Sequence, residues 1–424
     1  MIRILLTLFL GFIGLSNFNL ASSKDKLKDQ ISFILSKIPS DTKTAILIYN
    51  PLTQDTIIAQ NIFIPMIPAS VTKIYTTATA LSLMGREYRF STILFTDDQN
   101  IKDGVINGNL YLKGFGNATF TSEDLFNFIS RLRSLGIKEI TGNIIGDDTY
   151  FDNIYYREDW IENERANVKL PPISALVLDR NKTVSLRKKG RRRIYVTENF
   201  KNPPLNIAQK FKQLIDENDI KVKGTAKVGI TPDNVIELSE ASISLSELIA
   251  LINKHSDNFL AECLFKSIGA FYSGKQGNSF YSQQAIQEFL KKNNIYSTNT
   301  EIVDGSGISR FDQITAASVN GVLETMYFDL RNYETFYNSL SYAGVDGTLR
   351  NRMSDLPDGY VFKGKTGTLN SVIGLTGYLT SDDKDDLIIT ILFEFNRGGW
   401  NFYRDIQDEI IKALANWKKE NPEF

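Results

Sequence analysis

The chain has 424 residues, of which 42% are hydrophobic, so it is long enough for two or three domains with a sizeable core. Its 48 basic and 49 acidic side chains give a formal net charge of −1, which argues against a protein dedicated to nucleic acid. Cys263 is the only cysteine and His255 the only histidine, which excludes an internal disulfide and a metal site rich in these residues.

Residues 1–23 have the pattern of a cleaved signal peptide. Arg3 is the only charge before Lys24, an apolar stretch runs from Ile4 to Leu15, and Ala21-Ser22-Ser23 fits a small-x-small cleavage site. The apolar stretch is too short to cross about 30 Å of hydrocarbon. We therefore expect an exported protein that has no transmembrane anchor after cleavage.

The next part of the chain alternates strand and helix signals. Apolar, β-branched segments at Lys43–Asn50 and Asp55–Asn61 flank a turn that starts with proline, and together they predict a hairpin. Ser70–Met84 predicts a helix that stops at the following glycine. A further helix is expected to begin at Thr121 or Ser122, where acidic residues precede an apolar face.

A second hairpin is predicted at Val184–Val196, with basic residues from Arg187 to Arg193 around its tip. An anion-binding patch and a solvated turn are both compatible with this charge run, and we favour the turn because charge runs usually face water. The remaining predicted elements are helices at Pro203–Ile220, Ser244–Tyr272 (interrupted at 255–258) and Phe402–Trp417, and strands at Val222–Ile230, Tyr360–Thr368, Gly374–Thr380 and Leu387–Phe395.

A hydrolase with a single histidine can use lysine to activate its nucleophile, because burial and a nearby cation lower the lysine pKa from about 10.4 toward neutrality. Ser-x-x-Lys places both side chains on one face of a helix. Only Ser70-Val71-Thr72-Lys73 begins a helix of apolar and small residues. Ser70 is thus the candidate nucleophile and Lys73 the candidate base, and no catalytic role is expected for His255.

Two further motifs complete a candidate site. Ser256-Asp257-Asn258 interrupts an apolar helical region, so Ser256 is a candidate proton relay and the Asn258 amide a candidate partner of lysine and substrate. Lys365-Thr366-Gly367-Thr368 ends a strand, where Gly367 leaves room for a substrate backbone and Lys365, Thr366 and Thr368 are suited to a terminal carboxylate. Taken singly, the first is also compatible with a polar helix turn and the second with a plain strand end.

In this order the three motifs resemble those of the penicillin-recognising serine enzymes. More narrowly, the chain resembles the class C low-molecular-mass penicillin-binding proteins, the D-alanyl-D-alanine carboxypeptidase and endopeptidase family. The long gap between the first two motifs fits this family. The segment Asp304–Arg310 resembles the family's segment between the second and third motifs, and Ser174–Asn181 resembles another segment of the family.

The resemblance implies an α/β (α+β) serine β-lactamase/transpeptidase-like domain, with an antiparallel sheet flanked by helices and an inserted α+β domain. We expect residues 24–86 and 240–424 to form the catalytic domain and residues 87–239 the insertion. An inner insertion common in the family is shortened here, near residues 155–202.

The resemblance also implies the chemistry. Ser70 attacks a D-Ala-D-Ala bond of a peptidoglycan stem peptide, Lys73 takes its proton, and Ser256 passes a proton to the leaving amine with help from Asn258 and Lys365. Backbone N–H groups of Ser70 and Thr368 hold the oxyanion. No metal or organic cofactor is needed, β-lactam antibiotics act as covalent inhibitors, and the expected location is the periplasm.

Two substrate residues outside the motifs are implied as well. Asp148 is expected to face the side-chain amine of a diamino acid in the peptide, although one acid of the Asp147-Asp148 pair could simply cap the following turn. Arg310 is expected to bind substrate from the end of its segment. A serine β-lactamase and a non-catalytic peptidoglycan-binding protein on the same scaffold remain alternatives.

Overall fold

The computed structural model describes residues 23–160, 170–189, 192–382 and 386–420, without the side chain of Lys189. The predicted signal peptide, Ser23 excepted, and residues 190–191 of the basic hairpin lie outside these ranges. No helix within them is both long and apolar enough to cross a membrane. The helices that they contain are α1 (Ser23–Ser36), α2 (Thr72–Met84), α3 (Ser122–Ser134), α4 (Pro203–Glu217), α5 (Leu245–His255), α6 (Asn258–Ser273), α7 (Ser279–Lys292), α8 (Ala316–Phe328), α9 (Tyr333–Ser339) and α10 (Trp400–Glu420).

The strands range in length from two residues to ten residues. They are β1 (Lys43–Asn50), β2 (Asp55–Gln60), β3 (Arg89–Thr96), β4 (Val105–Ile106), β5 (Leu110–Gly114), β6 (Glu139–Ile140), β7 (Ile144–Asp147), β8 (Lys182–Lys189), β9 (Arg192–Asn199), β10 (Lys221–Val222), β11 (Ala226–Val228), β12 (Ile236–Ser244), β13 (Ser341–Tyr342), β14 (Tyr360–Leu369), β15 (Val372–Ser381) and β16 (Leu387–Glu394).

The large sheet has the strand order β13-β14-β15-β16-β1-β2, and all its neighbours are antiparallel. The N-terminal hairpin thereby joins the C-terminal strands, with Lys43 opposite Glu394. Helices α1 and α10 bury apolar residues such as Ile31 and Ile410 against one face, and α2, α5, α6 and α8 pack in the core on the other side. This three-layer arrangement confirms the predicted antiparallel sheet flanked by helices.

A second, five-stranded mixed sheet has the order β11-β7-β5-β3-β12 and packs with α3 and α4 around its own core. Its strand β12 (Ile236–Ser244) pairs with β3 across residue 240, where the sequence analysis places a domain boundary. The division of the chain into domains stays a prediction. The predicted strand Val222–Ile230 is wrong, because the chain divides there into β10 and β11 of two different sheets. Gly224 lies between them, and a Cβ on it would meet the Gly142 carbonyl oxygen at 2.1 Å.

The central helix α2 carries the first motif. A 3-10 turn at Ala69–Val71 precedes it, so Ser70 lies in this turn rather than on the first residue of the α-helix. The helix is buried from Thr72 to Leu81, and it ends at Gly85, whose φ of +80° favours glycine. Burial on all sides fixes the helix and therefore the position of Ser70.

Candidate active site

Ser70 and Lys73 form a direct pair at the start of α2. The Lys73 Nζ donates to Ser70 Oγ at 2.9 Å. The Lys73 side chain is fully buried, and this burial lowers its pKa from 10.5 to about 8, against the opposing effect of nearby carboxylates, first among them Asp304. The structure thus brings together the predicted nucleophile and the predicted base, and the lowered pKa makes the neutral amine of the base accessible near pH 8.

Two further acceptors complete the surroundings of the Lys73 amine. Its Nζ donates to Asn258 Oδ1 at 2.7 Å and to the Ser306 carbonyl oxygen at 2.6 Å. An ammonium has three N–H donors, so these two bonds and the one to Ser70 satisfy all of them. The sequence analysis did not identify Ser306 as a contact of the base, although it singled out the glycine-rich segment that contains it.

The second motif lies in the sharp turn between α5 and α6. Ser256 ends α5 in the left-handed region, with φ of 55°, and the Asp257 side chain caps α6 by accepting from the Leu260 N–H. Arg180 donates to both carboxylate oxygens of Asp257, at 2.8 and 2.9 Å. The turn is therefore held from both sides, which fixes Ser256 next to the nucleophile. His255 is exposed and plays no part in these contacts.

The third motif lies on β14 and connects to the second. The fully buried Lys365 Nζ donates to Ser256 Oγ at 2.9 Å and to the Thr366 carbonyl oxygen at 2.8 Å. Burial, and after it the charge of Lys73, lowers the pKa of Lys365 well below its usual value. The five predicted catalytic residues are thus linked through two hydrogen-bonded groups, one around Lys73 and one around Lys365.

The strand edge beyond Lys365 is open. Within the described ranges, β13 pairs only with Lys363 and Gly364, so the edge from Lys365 to Leu369 has no strand partner. Gly367 also has a packing role, because a Cβ on it would meet the Pro68 carbonyl oxygen at 2.6 Å. The glycine lets β14 pack against the turn that holds Ser70, and substrate contact along Gly367 stays a prediction.

A cleft of about 650 Å³ opens over these groups. Its lining residues are Ser70, Ser256, Asn258, Gly347, Thr348, Arg350, Asn351, Arg352, Thr366, Thr368, Asn401, Arg404, Asp405 and Asp408. A bound peptide in this cleft would lie between the second motif and the open edge of β14, with its carbonyl near Ser70.

Asp148 and Arg310, the other two predicted substrate residues, do not line this cleft. The half-buried Asp148 accepts from the Tyr155 hydroxyl at 2.8 Å and from Ser174 Oγ at 2.9 Å. Arg310 donates to the Asn370 carbonyl oxygen at 2.7 Å, in the turn after β14. The capping role belongs to Asp147, which accepts from the Thr149 N–H at 3.0 Å. Substrate binding by Asp148 and Arg310 stays a prediction.

Three buried acids lie beneath the site, and the sequence analysis gave them no role. Burial, assisted by Asp304, raises the pKa of Glu262 from 4.5 to about 8 and that of Asp312 well above its usual value. Asp304 accepts from three backbone N–H groups of the segment that follows it and from Trp160 Nε1. The sequence signal that could have identified these acids is their spacing from the motifs: Glu262, for example, lies one helical turn after Asn258.

The comparisons with known proteins identify the family of the chain. The model of the D-Ala-D-Ala carboxypeptidase 3 (S13) family matches residues 27–193 and 190–420. The chain is 25% identical over 421 residues to a D-alanyl-D-alanine carboxypeptidase of an Actinomadura species, covering 83% of this chain and 77% of the relative. It is 24% identical over 416 residues to a D-alanyl-D-alanine carboxypeptidase of Haemophilus influenzae, covering 83% and 85%.

Solved structures share the fold. The crystal structure of penicillin binding protein 4 from Haemophilus influenzae matches with a TM-score of 0.77 at 20% identity, covering 91% of this chain and 98% of that one. A predatory peptidoglycan endopeptidase from Bdellovibrio bacteriovorus matches with a TM-score of 0.55 at 14% identity, covering 88% and 92%. At these identities the likeness is one of fold.

Proposed function

Because the chain belongs to the D-Ala-D-Ala carboxypeptidase 3 (S13) family, and is thus a serine D,D-peptidase, we propose the residues and the substrate through which it acts. The substrates are D-alanyl-D-alanine ends and D-amino-acid crosslinks of peptidoglycan stem peptides, cleaved through an acyl-enzyme on Ser70. The proposal includes the periplasm as the location and β-lactam antibiotics as covalent inhibitors.

The observation that carries the proposal is the set of partners around Lys73. When Lys73 loses a proton, its nitrogen has two N–H donors and one lone pair. Asn258 Oδ1 and the Ser306 carbonyl oxygen can only accept, so they keep the two N–H groups. The lone pair is then directed to the hydroxyl of Ser70, the one partner that can donate. Neutral Lys73 is therefore oriented as the base for Ser70.

Acylation follows from this arrangement. The Ser70 Oγ forms a bond to the carbonyl carbon of the scissile amide while Lys73 takes its proton, and the C–N bond then breaks. The leaving nitrogen receives a proton from Ser256, whose hydroxyl is bonded to Lys365. Backbone N–H groups of Ser70 and Thr368 stabilise the oxyanion, an effect worth about 3–4 kcal/mol for a single donor in comparable sites. Water then hydrolyses the ester and restores Ser70.

The test is acylation by a labelled penicillin, followed by identification of the modified peptide. We expect the label on Ser70 and its loss in Ser70→Ala at unchanged melting temperature. Ser40→Ala is the matched control, since Ser40 also stands three residues before a lysine but is exposed. A label on Ser256, or no label, contradicts the assignment.

Hydrolysis of defined muropeptides separates the proposal from its alternatives. A D,D-peptidase releases D-alanine or separates crosslinked peptides and forms a long-lived penicillin adduct. A β-lactamase instead turns over penicillin rapidly and leaves muropeptides intact, and a non-catalytic wall-binding protein does neither.

A further inference from the structure

The cleft extends farther than the three motifs require. Beyond Thr366 it continues along Thr348, Arg350, Asn401 and Arg404, which we call the basic arm. Thr366 Oγ1 donates to Thr348 Oγ1 at 2.9 Å, so the basic arm begins directly beside the third motif. None of the steps of the proposed reaction uses these arginines.

The basic arm is held in place by Arg352. Its side chain, only 11% exposed, donates to Asp408 Oδ1 at 2.7 Å, to Gln407 Oε1 at 3.0 Å and to the Arg404 carbonyl oxygen at 3.4 Å. These bonds fasten the segment that carries Arg350 to the first turns of α10, which carry Arg404. Two distant parts of the sequence therefore form one preformed wall of the cleft.

The charge of this wall favours an anion. The cleft is lined by three arginines and two aspartates, a net charge of +1. Arg352 forms an ion pair with Asp408, so the pair contributes no net charge to the wall. Within the part of the chain that the structure describes, the exposed Arg350 side chain has no hydrogen bond or ion pair. An exposed arginine beside a cleft is suited to a carboxylate ligand.

We infer that the basic arm binds a carboxylate of the leaving peptide and makes the enzyme prefer crosslinked stem peptides to monomeric ones. The inference rests on the proposed function, together with the expectation from the sequence that Lys365, Thr366 and Thr368 hold the carboxylate next to the scissile amide. A single D-alanine ends at these threonines. A crosslinked leaving peptide continues past them toward Thr348 and has a further terminal carboxylate, which Arg350 and Arg404 bind.

The bonds that change are those of ordinary hydrolysis. The amide C–N bond breaks, the nitrogen of the leaving peptide takes a proton, and water supplies the hydroxyl of the new carboxylic acid. The basic arm acts through binding and orientation of the leaving peptide and not on the reacting atoms, so its contribution appears in the selectivity between substrates.

The test compares kcat/KM for a crosslinked tetrapeptide dimer with kcat/KM for a monomeric pentapeptide. In Arg350→Gln the ratio of dimer to monomer should fall about tenfold, as expected for one lost charge-assisted bond at an exposed site. Arg331→Gln, which removes an arginine with a 90% exposed side chain outside the cleft, should leave the ratio unchanged. A melting curve checks that each variant is folded.

A second substrate identifies the group that is recognised. With the terminal carboxylate of the leaving peptide amidated, the unaltered enzyme should lose the same factor of about ten, and Arg350→Gln should add less than about twofold. The inference is overturned if amidation has no effect, or if Arg350→Gln lowers both kcat/KM values equally. If the unaltered enzyme is not labelled by penicillin and cleaves neither substrate, the proposed function fails, and the inference fails with it.

Discussion

The pH dependence of acylation is the sharpest consequence of the buried Lys73. Burial lowers the pKa of Lys73 to about 8, and only the neutral amine can take the Ser70 proton. With this pKa the neutral fraction is about 1% at pH 6, about 9% at pH 7 and about 90% at pH 9. The rate of acylation by penicillin should therefore rise nearly tenfold from pH 6 to pH 7 and level off above pH 8.

Stopped-flow measurement of acylation by a fluorescent penicillin gives this profile directly. Penicillin is the better reagent here because it lacks the leaving peptide and so isolates the groups around Ser70. Lys73→Met is the matched variant: it keeps a long apolar chain in the buried site but removes the amine. It should lose about 10²–10⁴-fold in rate and all of the rise with pH.

Three results would refute this reasoning. A profile that still rises steeply between pH 8 and pH 9 would mean that Lys73 has an ordinary lysine pKa despite its burial. A flat profile in the unaltered enzyme would mean that proton transfer to Lys73 does not limit acylation. Unchanged acylation in Lys73→Met would exclude Lys73 as the base altogether.

Three further predictions concern residues around the site. His255→Gln should leave turnover within several-fold, because His255 is exposed and lysine supplies the base; a loss near 10²-fold would contradict this. The pKa of Glu262 is about 8 in the folded protein, against 4.5 for an unperturbed carboxyl. The folded state therefore binds more protons than the unfolded state between these values, and the contribution of Glu262 to the stability of the protein is lost as pH rises through this range. The melting temperature of Glu262→Gln should accordingly fall less from pH 5 to pH 8 than that of the unaltered protein, and equal slopes would contradict the buried neutral carboxyl. Asp148→Asn should lower kcat/KM for a peptide with a free side-chain amine while barely changing acylation by penicillin; equal losses would mean that Asp148, through Tyr155 and Ser174, only supports the fold.

The local structure around the three motifs was predictable because each motif carries its own local signal. Ser70 and Lys73 share one helix, the break at Ser256 interrupts an apolar pattern, and the third motif ends a β-rich segment. The helix ends at Gly85 and Thr121 also follow from local capping chemistry. In each case the deciding interaction spans only a few residues of sequence.

Other features depend on contacts between segments that are distant in the sequence, and the local pattern of apolar and polar residues carries no information about such contacts. The pairing of β1 with β16 joins residues about 350 positions apart (Lys43 with Glu394), and no local pattern specifies it. The break at Gly224 is set by Gly142, and the need for Gly367 is set by Pro68. The basic arm likewise exists only because Arg352 reaches α10.

The two buried lysines also explain how one site can take a proton and return it. Like charges in a buried site disfavour each other, and the charge of Lys73 lowers the pKa of Lys365. When Lys73 gains the proton of Ser70, the ammonium form of Lys365 becomes less favourable. Lys365 is then more ready to give a proton to Ser256, to which it is bonded at 2.9 Å, while Ser256 passes its own proton to the leaving nitrogen. In the proposed mechanism, proton uptake by Lys73 thus favours proton release at Ser256, although the two lysines share no hydrogen bond within the described residues.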